Sequence, residues 1–169
     1  MFMAGTGVEV AFDVRKLLIE FYSNNIVHVE HVPDTSRRSK SCVVVVKPKD
    51  VEVLVNRING CIAVSSKEMS VYVDAKNGVI EFRFGGLLVK EVSRKASKQN
   101  LYGDEFYTFE QVFEIEPGSG LYGLGQHARY SAHGVLICRN KMNKTIYLAQ
   151  RNSDIAAPFL ISHVGYGIL

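Results

Sequence analysis

The chain has 169 residues and a mass of 18.9 kDa, the size of one ordinary domain and too short for a (β/α)8 barrel, which needs about 250 residues. Its 47% hydrophobic and 22% charged residues suit a folded core that buries roughly 70% of the unfolded surface, without help from disulfides or a structural metal. A net charge of +3 falls well short of the concentrated positive field that nucleic-acid binding requires, so no nucleic-acid partner is expected.

Cys42, Cys61 and Cys138 are odd in number, far apart and without a C-x-x-C pair. That spacing argues against a disulfide framework or a zinc site and leans toward a reducing, cytoplasmic setting. The longest aliphatic stretch, Cys42 to Val46, has the length of a strand, so no membrane span is expected. No basic segment followed by an apolar stretch opens the chain, as a secretory leader would. No cofactor is expected.

In chain order, apolar residues alternate with polar ones in segment after segment, the pattern of strands with one buried and one wet face. Val8, Val10 and Phe12 form the first such set, and Leu17, Ile19 and Phe21 the next. Val27 and Val29 follow, then the polar segment 33–41, read as a loop. Val51, Val53 and Val55 resume the alternation; Ile80, Phe82 and Phe84 continue it. Asn59-Gly60 and Asn77-Gly78 supply the positive φ that two-residue hairpin turns need, and Gly85-Gly86 marks a third turn. Residues 51–92 therefore read as a meander of four or five antiparallel strands. Segment 94–104 is polar and aperiodic and reads as a second loop, after which Phe109, Phe113 and Ile115 share a face with Gln111. No window carries a convincing helical stripe. The expected fold is all-β, an antiparallel two-sheet β-sandwich with little helix.

Several patterns resemble chemical motifs, and each has a plainer reading. Gly118, Gly120 and Gly123 satisfy G-x-G-x-x-G, but a dinucleotide site also needs a following helix and an acidic residue about 20 positions on. Neither is present, so the glycines are read as serving a tight turn and close backbone packing. His28 and His31 are three apart, which in a strand sends them to opposite faces and prevents a shared metal. His127 and His133 sit in a Gly- and Ser-containing stretch without a third ligand at suitable spacing. Arg37, Arg38 and Lys40, with Arg94, Lys95 and Lys98, form two basic segments that lack the interleaved aromatics of a base-stacking surface. Asn143-Lys144-Thr145 fits a glycosylation sequon without a secretory context. No nucleophile with its base can be assembled, and most of the 17 acids alternate with apolar residues as the wet faces of strands.

The last third carries a more specific pattern. Leu121-Tyr122-Gly123-Leu124-Gly125-Gln126-His127, Gln150-Arg151-Asn152-Ser153-Asp154-Ile155, Pro158-Phe159-Leu160-Ile161-Ser162 and Gly165-Tyr166-Gly167-Ile168-Leu169 follow one another in order. Together they resemble the N-terminal β-sandwich domain of glycoside hydrolase family 31, the α-glucosidase and α-xylosidase family. Phe21-Tyr22-Ser23, Asn25 to Val29 and Asn77 to Phe82 also resemble strands of that domain, and the likeness covers nearly the whole chain.

The resemblance implies a galactose-mutarotase-like super-sandwich over residues 1–169, placed before a catalytic (β/α)8 barrel that carries both aspartates of a retaining mechanism. The family's nucleophile segment, a Trp-containing run with Asp-Met-Asn, has no counterpart, and the chain contains no Trp. The chain also stops on Gly-Tyr-Gly-Ile-Leu, mid-pattern for the family. By itself it is therefore expected to hydrolyse nothing, its partners being the barrel of the same polypeptide and an α-linked oligosaccharide; homo-oligomerisation is left open. Family members lend a loop of the sandwich to the sugar site, commonly through an Arg-Asp pair at the point matching Arg151-Asn152. Asn152 departs from that pattern, with Asp154 two residues on. Asn152 or Asp154 would hydrogen-bond sugar hydroxyls, or alternatively cap a turn before the strand Pro158 to Ser162, which is read as buried. Gln126 and His127 are further candidates, and Arg151 is either a sugar ligand or an ion-pair anchor. A free-standing carbohydrate-binding module is the competing reading, opposed by the missing Trp and scattered Tyr residues.

Overall fold

A computed structural model describes residues 2–4, 7–12, 15–32, 43–127, 140–143, 145–150 and 154–169. The described residues contain strands and turns and no helix, and every pairing between strands is antiparallel. The chain divides into two compact units, Met1–Glu114 and Ile115–Leu169.

The first unit is a β-sandwich of two antiparallel sheets. One sheet has the order β1 (Phe2–Ala4), β2 (Gly7–Phe12), β3 (Arg15–Ser23), β4 (Ile26–Val32). The other is a six-stranded meander of β5 (Leu54–Ile58), β6 (Cys61–Ser65), β7 (Ser70–Asp74), β8 (Ile80–Phe84), β9 (Gly86–Leu101) and β10 (Asp104–Glu114). The alternating residues of both sheets supply one core: Val8, Val10, Leu17, Ile19 and Phe21 from the first, Ile62, Val64, Val71, Val73 and Ile80 from the second. Val27, Val29, Val51, Val53, Val55 and Phe82 pack against it, although Val51 and Val53 precede the start of β5.

The turns follow their chemistry in part. Asn59 and Gly60 both have positive φ (50° and 80°) and close the β5–β6 hairpin in two residues, as expected. Asn77-Gly78 works differently. Only Gly78 is left-handed, and it ends a longer loop in which its N–H donates to the Asp74 carbonyl (2.8 Å) while the Asp74 carboxylate accepts from Lys76 N–H (2.7 Å). An Asp four residues before the glycine offers the backbone an acceptor that a two-residue turn would leave unused.

Segment 94–104 is a correction: it is strand and turn, not loop. β9 runs through it to Leu101, and Tyr102-Gly103, with φ of 54° and 90°, turns directly into β10. Polarity on both faces hid this hairpin, because its outer part reaches solvent on both sides and shows no alternation. The basic residues are correspondingly strand residues in ion pairs, Lys95 with Glu110 (3.8 Å) and Lys98 with Glu105 (2.6 Å). The other basic segment, Arg37 to Lys40, lies outside the described residues, as do the rest of segment 33–41, Cys42 and Cys138.

The second unit holds a third sheet of order β11 (Leu121–His127), β12 (Asp154–Ser162), β13 (Gly167–Ile168), beyond the two sheets of the sequence reading.

Candidate functional site

The β11–β12 ladder decides where the expected sugar-site residues stand. Its register runs from Leu121 opposite Ser162 through Tyr122–Ile161 and Gly123–Leu160 to Gly125–Ala156, Gln126–Ile155 and His127–Asp154. Three of the five expected positions thus meet at one end of one ladder, where Asp154 is brought opposite His127 and beside the partner of Gln126 although it lies far along the chain from both. Arg151 and Asn152 lie outside the described residues, as does His133. Gln150, to which the sequence reading gave no separate role, is tied to the same end: its side-chain carbonyl accepts from Ala156 N–H at 3.2 Å.

Glycine chemistry shapes this end. Gly123, Leu124 and Gly125 all have positive φ (104°, 63° and 90°), and the register shifts between the two glycines. Such a bulge bends the strand and re-aims its next residues. A Cβ on Gly123 would stand 2.3 Å from the Phe159 carbonyl oxygen, and one on Gly125 only 1.9 Å from that of Ile155. Both positions exclude every side chain, so the Gly-Leu-Gly of the sequence motif is a requirement of the ladder. Gly118 (φ 84°) serves a turn, and no helix follows it among the described residues. The expectation that these glycines serve turns and close packing holds.

At the other end, Leu121 N–H donates to Asn140 Oδ1 (2.8 Å), Gly120 N–H to His163 Nδ1 (2.8 Å) and His163 N–H back to the Gly120 carbonyl (2.9 Å). Backbone groups at the sheet's margin are thereby satisfied.

A second polar constellation, in the first unit, escaped the sequence reading. Glu91 is fully buried, which corrects the assignment of the acids to wet strand faces in its case. Its Oε1 accepts from Arg94 Nε (2.6 Å) and Gln111 Nε2 (2.8 Å), its Oε2 from Arg94 Nη2 (2.5 Å) and Ile80 N–H (3.0 Å). Both oxygens are engaged, so this carboxylate is held for structure and has no free lone pair directed at a substrate. The parity of the sequence was the available signal, since Glu91 follows Val89 at strand spacing on the core face.

Two cavities lie in the first unit, among its described residues. One of about 550 Å3 lies beside the β3–β4 turn, lined among others by Ser23, Asn24, Lys49, Asp50, Ser66 and Lys67. Another of about 240 Å3 is lined by His31, Asn77, Glu91, Ser93 and Arg94 among others. Among the described residues no three His, Cys, Asp or Glu side chains cluster as metal ligands, and no helix is long and apolar enough to cross a membrane. His28 stands beside Glu20 at 4.0 Å and meets the Tyr22 ring edge-on.

Known proteins match this fold and sequence closely. An α-xylosidase of Saccharolobus solfataricus is 33% identical over 163 residues, covering 89% of the chain and 21% of the relative. The crystal structure of a family 31 α-xylosidase from Xanthomonas citri superposes with a TM-score of 0.85 at 23% identity, covering 99% of the chain and 18% of that protein. A family 31 α-xylosidase from a soil metagenome, complexed with xylose, gives 0.74 at 23% identity over 98% of the chain and 27% of its own. The chain is thus similar in sequence to part of an α-xylosidase and in fold to part of family 31 α-xylosidases. A family 31 dextranase of Flavobacterium johnsoniae, complexed with isomaltotriose, shares the fold at a TM-score of 0.64 and 14% identity, over 98% of the chain and 22% of its own. No protein-family profile matches the chain. The chain spans about a fifth of the length of the curated relative it matches.

Proposed function

We propose that residues 1–169 form the N-terminal, non-catalytic β-sandwich of a retaining α-glycosidase of α-xylosidase or α-glucosidase type, whose (β/α)8 barrel follows in the same polypeptide. The observation that carries this reading is the identity of 33% to an α-xylosidase over 89% of the chain but 21% of the relative. Chemistry supports it. Retention needs two carboxyl groups about 5–5.5 Å apart across the scissile bond. The fully buried carboxylate among the described residues, Glu91, is consumed by Arg94, Gln111 and the Ile80 amide.

In this reading the segment joining β11 to β12 reaches the sugar site. Asn152 and Asp154 hydrogen-bond sugar hydroxyls and orient the ring at the cleavage subsite, with Arg151, Gln126 and His127 alongside. The register that sets His127 opposite Asp154 supports a common location for Gln126, His127 and Asp154. An α-linked xyloside or glucoside is the substrate of the whole polypeptide, and the contribution of the sandwich is positioning.

The test compares the 169-residue chain with the complete polypeptide on p-nitrophenyl α-xyloside and α-glucoside. Hydrolysis by the complete polypeptide alone is expected. Turnover by the pure chain would place the catalysts within it and overturn the reading. Calorimetric affinity of the pure chain for xyloglucan oligosaccharides, with no barrel encoded downstream, would identify a free-standing carbohydrate-binding module instead.

A further inference from the structure

The β11–β12–β13 sheet has two unlike faces. Leu121 and Ser162, directly paired, are buried on one. On the other, Ile161 stands opposite both Tyr122 and Gly167, and Phe159 shares its face two residues earlier. Tyr122, Phe159 and Ile161 are 36%, 43% and 46% exposed. The unbroken apolar run from Ile155 to Ile161 is the pattern of a strand covered on both faces, as expected of the segment Pro158 to Ser162. Among the described residues Ser162 is buried and Leu160 half-buried on one face, while Phe159 and Ile161 on the other stay exposed.

The bare face is also pre-shaped. A Cβ on Gly120 would fall 2.8 Å from Tyr122 Cε2, and one on Gly167 2.8 Å from Phe159 Cζ. Each ring therefore lies down over a glycine, an arrangement that shields the glycine backbone and leaves a flat apolar surface. Rings already held in place lose little rotamer freedom when a partner arrives. Gly120, Tyr122, Phe159, Ile161 and Gly167 carry no carboxylate, ammonium or guanidinium, and depletion of charge with enrichment of aromatics marks the buried centre of a permanent interface.

We infer that this face, centred on Tyr122, Phe159 and Ile161, is the surface onto which the remaining part of the parent polypeptide packs. The inference rests on the function proposed above. The occupant follows from length, since the chain amounts to 18–27% of the solved family 31 proteins that share its fold and 21% of the α-xylosidase. The larger part of such a polypeptide is tethered in cis, at a high effective concentration, and needs a dry contact surface.

Hydroxyl-radical footprinting of the 169-residue chain and of the complete polypeptide tests it. Tyr122 and Phe159 are expected to label roughly tenfold more slowly in the complete polypeptide, as rings at an interface centre lose nearly all contact with water. Equal labelling in a complete polypeptide that hydrolyses α-xyloside would overturn this inference and leave the functional proposal standing. Absence of any downstream domain would remove both. Ile161→Lys in the complete polypeptide should lower Tm and speed proteolytic separation of the sandwich, whereas Ile26→Lys, at the exposed first position of β4 in the first unit, should do neither; equal effects would overturn the inference. Protection of Tyr122 and Phe159 in the pure chain by xyloglucan oligosaccharides would also overturn it, in favour of a sugar platform.

Discussion

Glu91 and Arg94 form a two-point ion pair on one face of β9, although strand spacing should send residues three apart to opposite faces. The ladder explains it. Val112 pairs with Ser93 and Phe113 with Glu91, leaving Val92 as an extra, unpaired residue. That bulge restores the parity, so Arg94 joins Glu91 on the core side and Gln111, directly opposite Arg94, completes the cluster.

Removing one member should therefore strand the other. Glu91→Leu leaves the Arg94 guanidinium, 10% exposed, without its counter-ion and should cost about 3–5 kcal/mol in urea unfolding of the chain. The double variant E91L/R94L should recover most of that loss, since a well-packed apolar pair is often as stable as a buried ion pair. Equal destabilisation of the single and double variants would refute the coupling.

Two glycines with the same φ of 90° make a controlled comparison. A Cβ on Gly103 meets nothing within 4 Å, so Gly103→Ala should cost only the left-handed backbone term, about 1–2 kcal/mol. A Cβ on Gly125 collides with the Ile155 carbonyl oxygen. Gly125→Ala should cost clearly more and open the Gln126–Ile155 and His127–Asp154 end of the ladder, read as loss of amide-exchange protection there.

A stabilising change is available at Tyr102. Its side chain is 99% exposed and its φ is 54°, so it contributes strain without packing. Tyr102→Asn would give the Asn-Gly pair that this turn favours and should raise stability by about 0.5–1 kcal/mol, seen as a higher Tm. A fall in Tm would mean that the Tyr102 ring has a contact that its exposure conceals.

For the sugar site, Asn152→Ala and Asp154→Ala in the complete polypeptide test the positioning role. Loss of one hydrogen bond to a sugar hydroxyl should lower kcat/KM for α-xyloside by about 2- to 15-fold, or 0.5–1.5 kcal/mol, with Tm unchanged. A lowered Tm with unchanged kcat/KM would instead assign these residues to capping the turn before β12.

The sandwich was largely legible because burial on one face imprints a period of two, and both halves of the core, from Val8 to Phe21 and from Ile62 to Ile80, follow it. Legibility ended where that imprint ended. The outer part of β9 and β10 is wet on both faces, so its strands look like loop, and cross-strand pairs such as Lys95–Glu110 leave no local signature. Glu91 broke the pattern in the opposite sense, a charge on a core position whose partners lie elsewhere in sequence or across a bulge. For the candidate site, the Gly-Leu-Gly motif pointed to close backbone approach, but which strand approached could only come from the ladder. Likewise, nothing local to Gln126 or Asp154 announces that they share one end of it.

The Gly123-Leu124-Gly125 bulge also bears on where this fold can tolerate changes in chain length. Three consecutive left-handed residues, two of them closed to any side chain, leave the strand itself almost no freedom to vary. The ladder pairs His127 with Asp154, so the two ends of the connection between them are held together by the strands themselves. Lengthening such a connection costs only about 0.6 kcal/mol per doubling. Changes in the length of that connection should therefore cost the fold less than a side chain placed at Gly123 or Gly125.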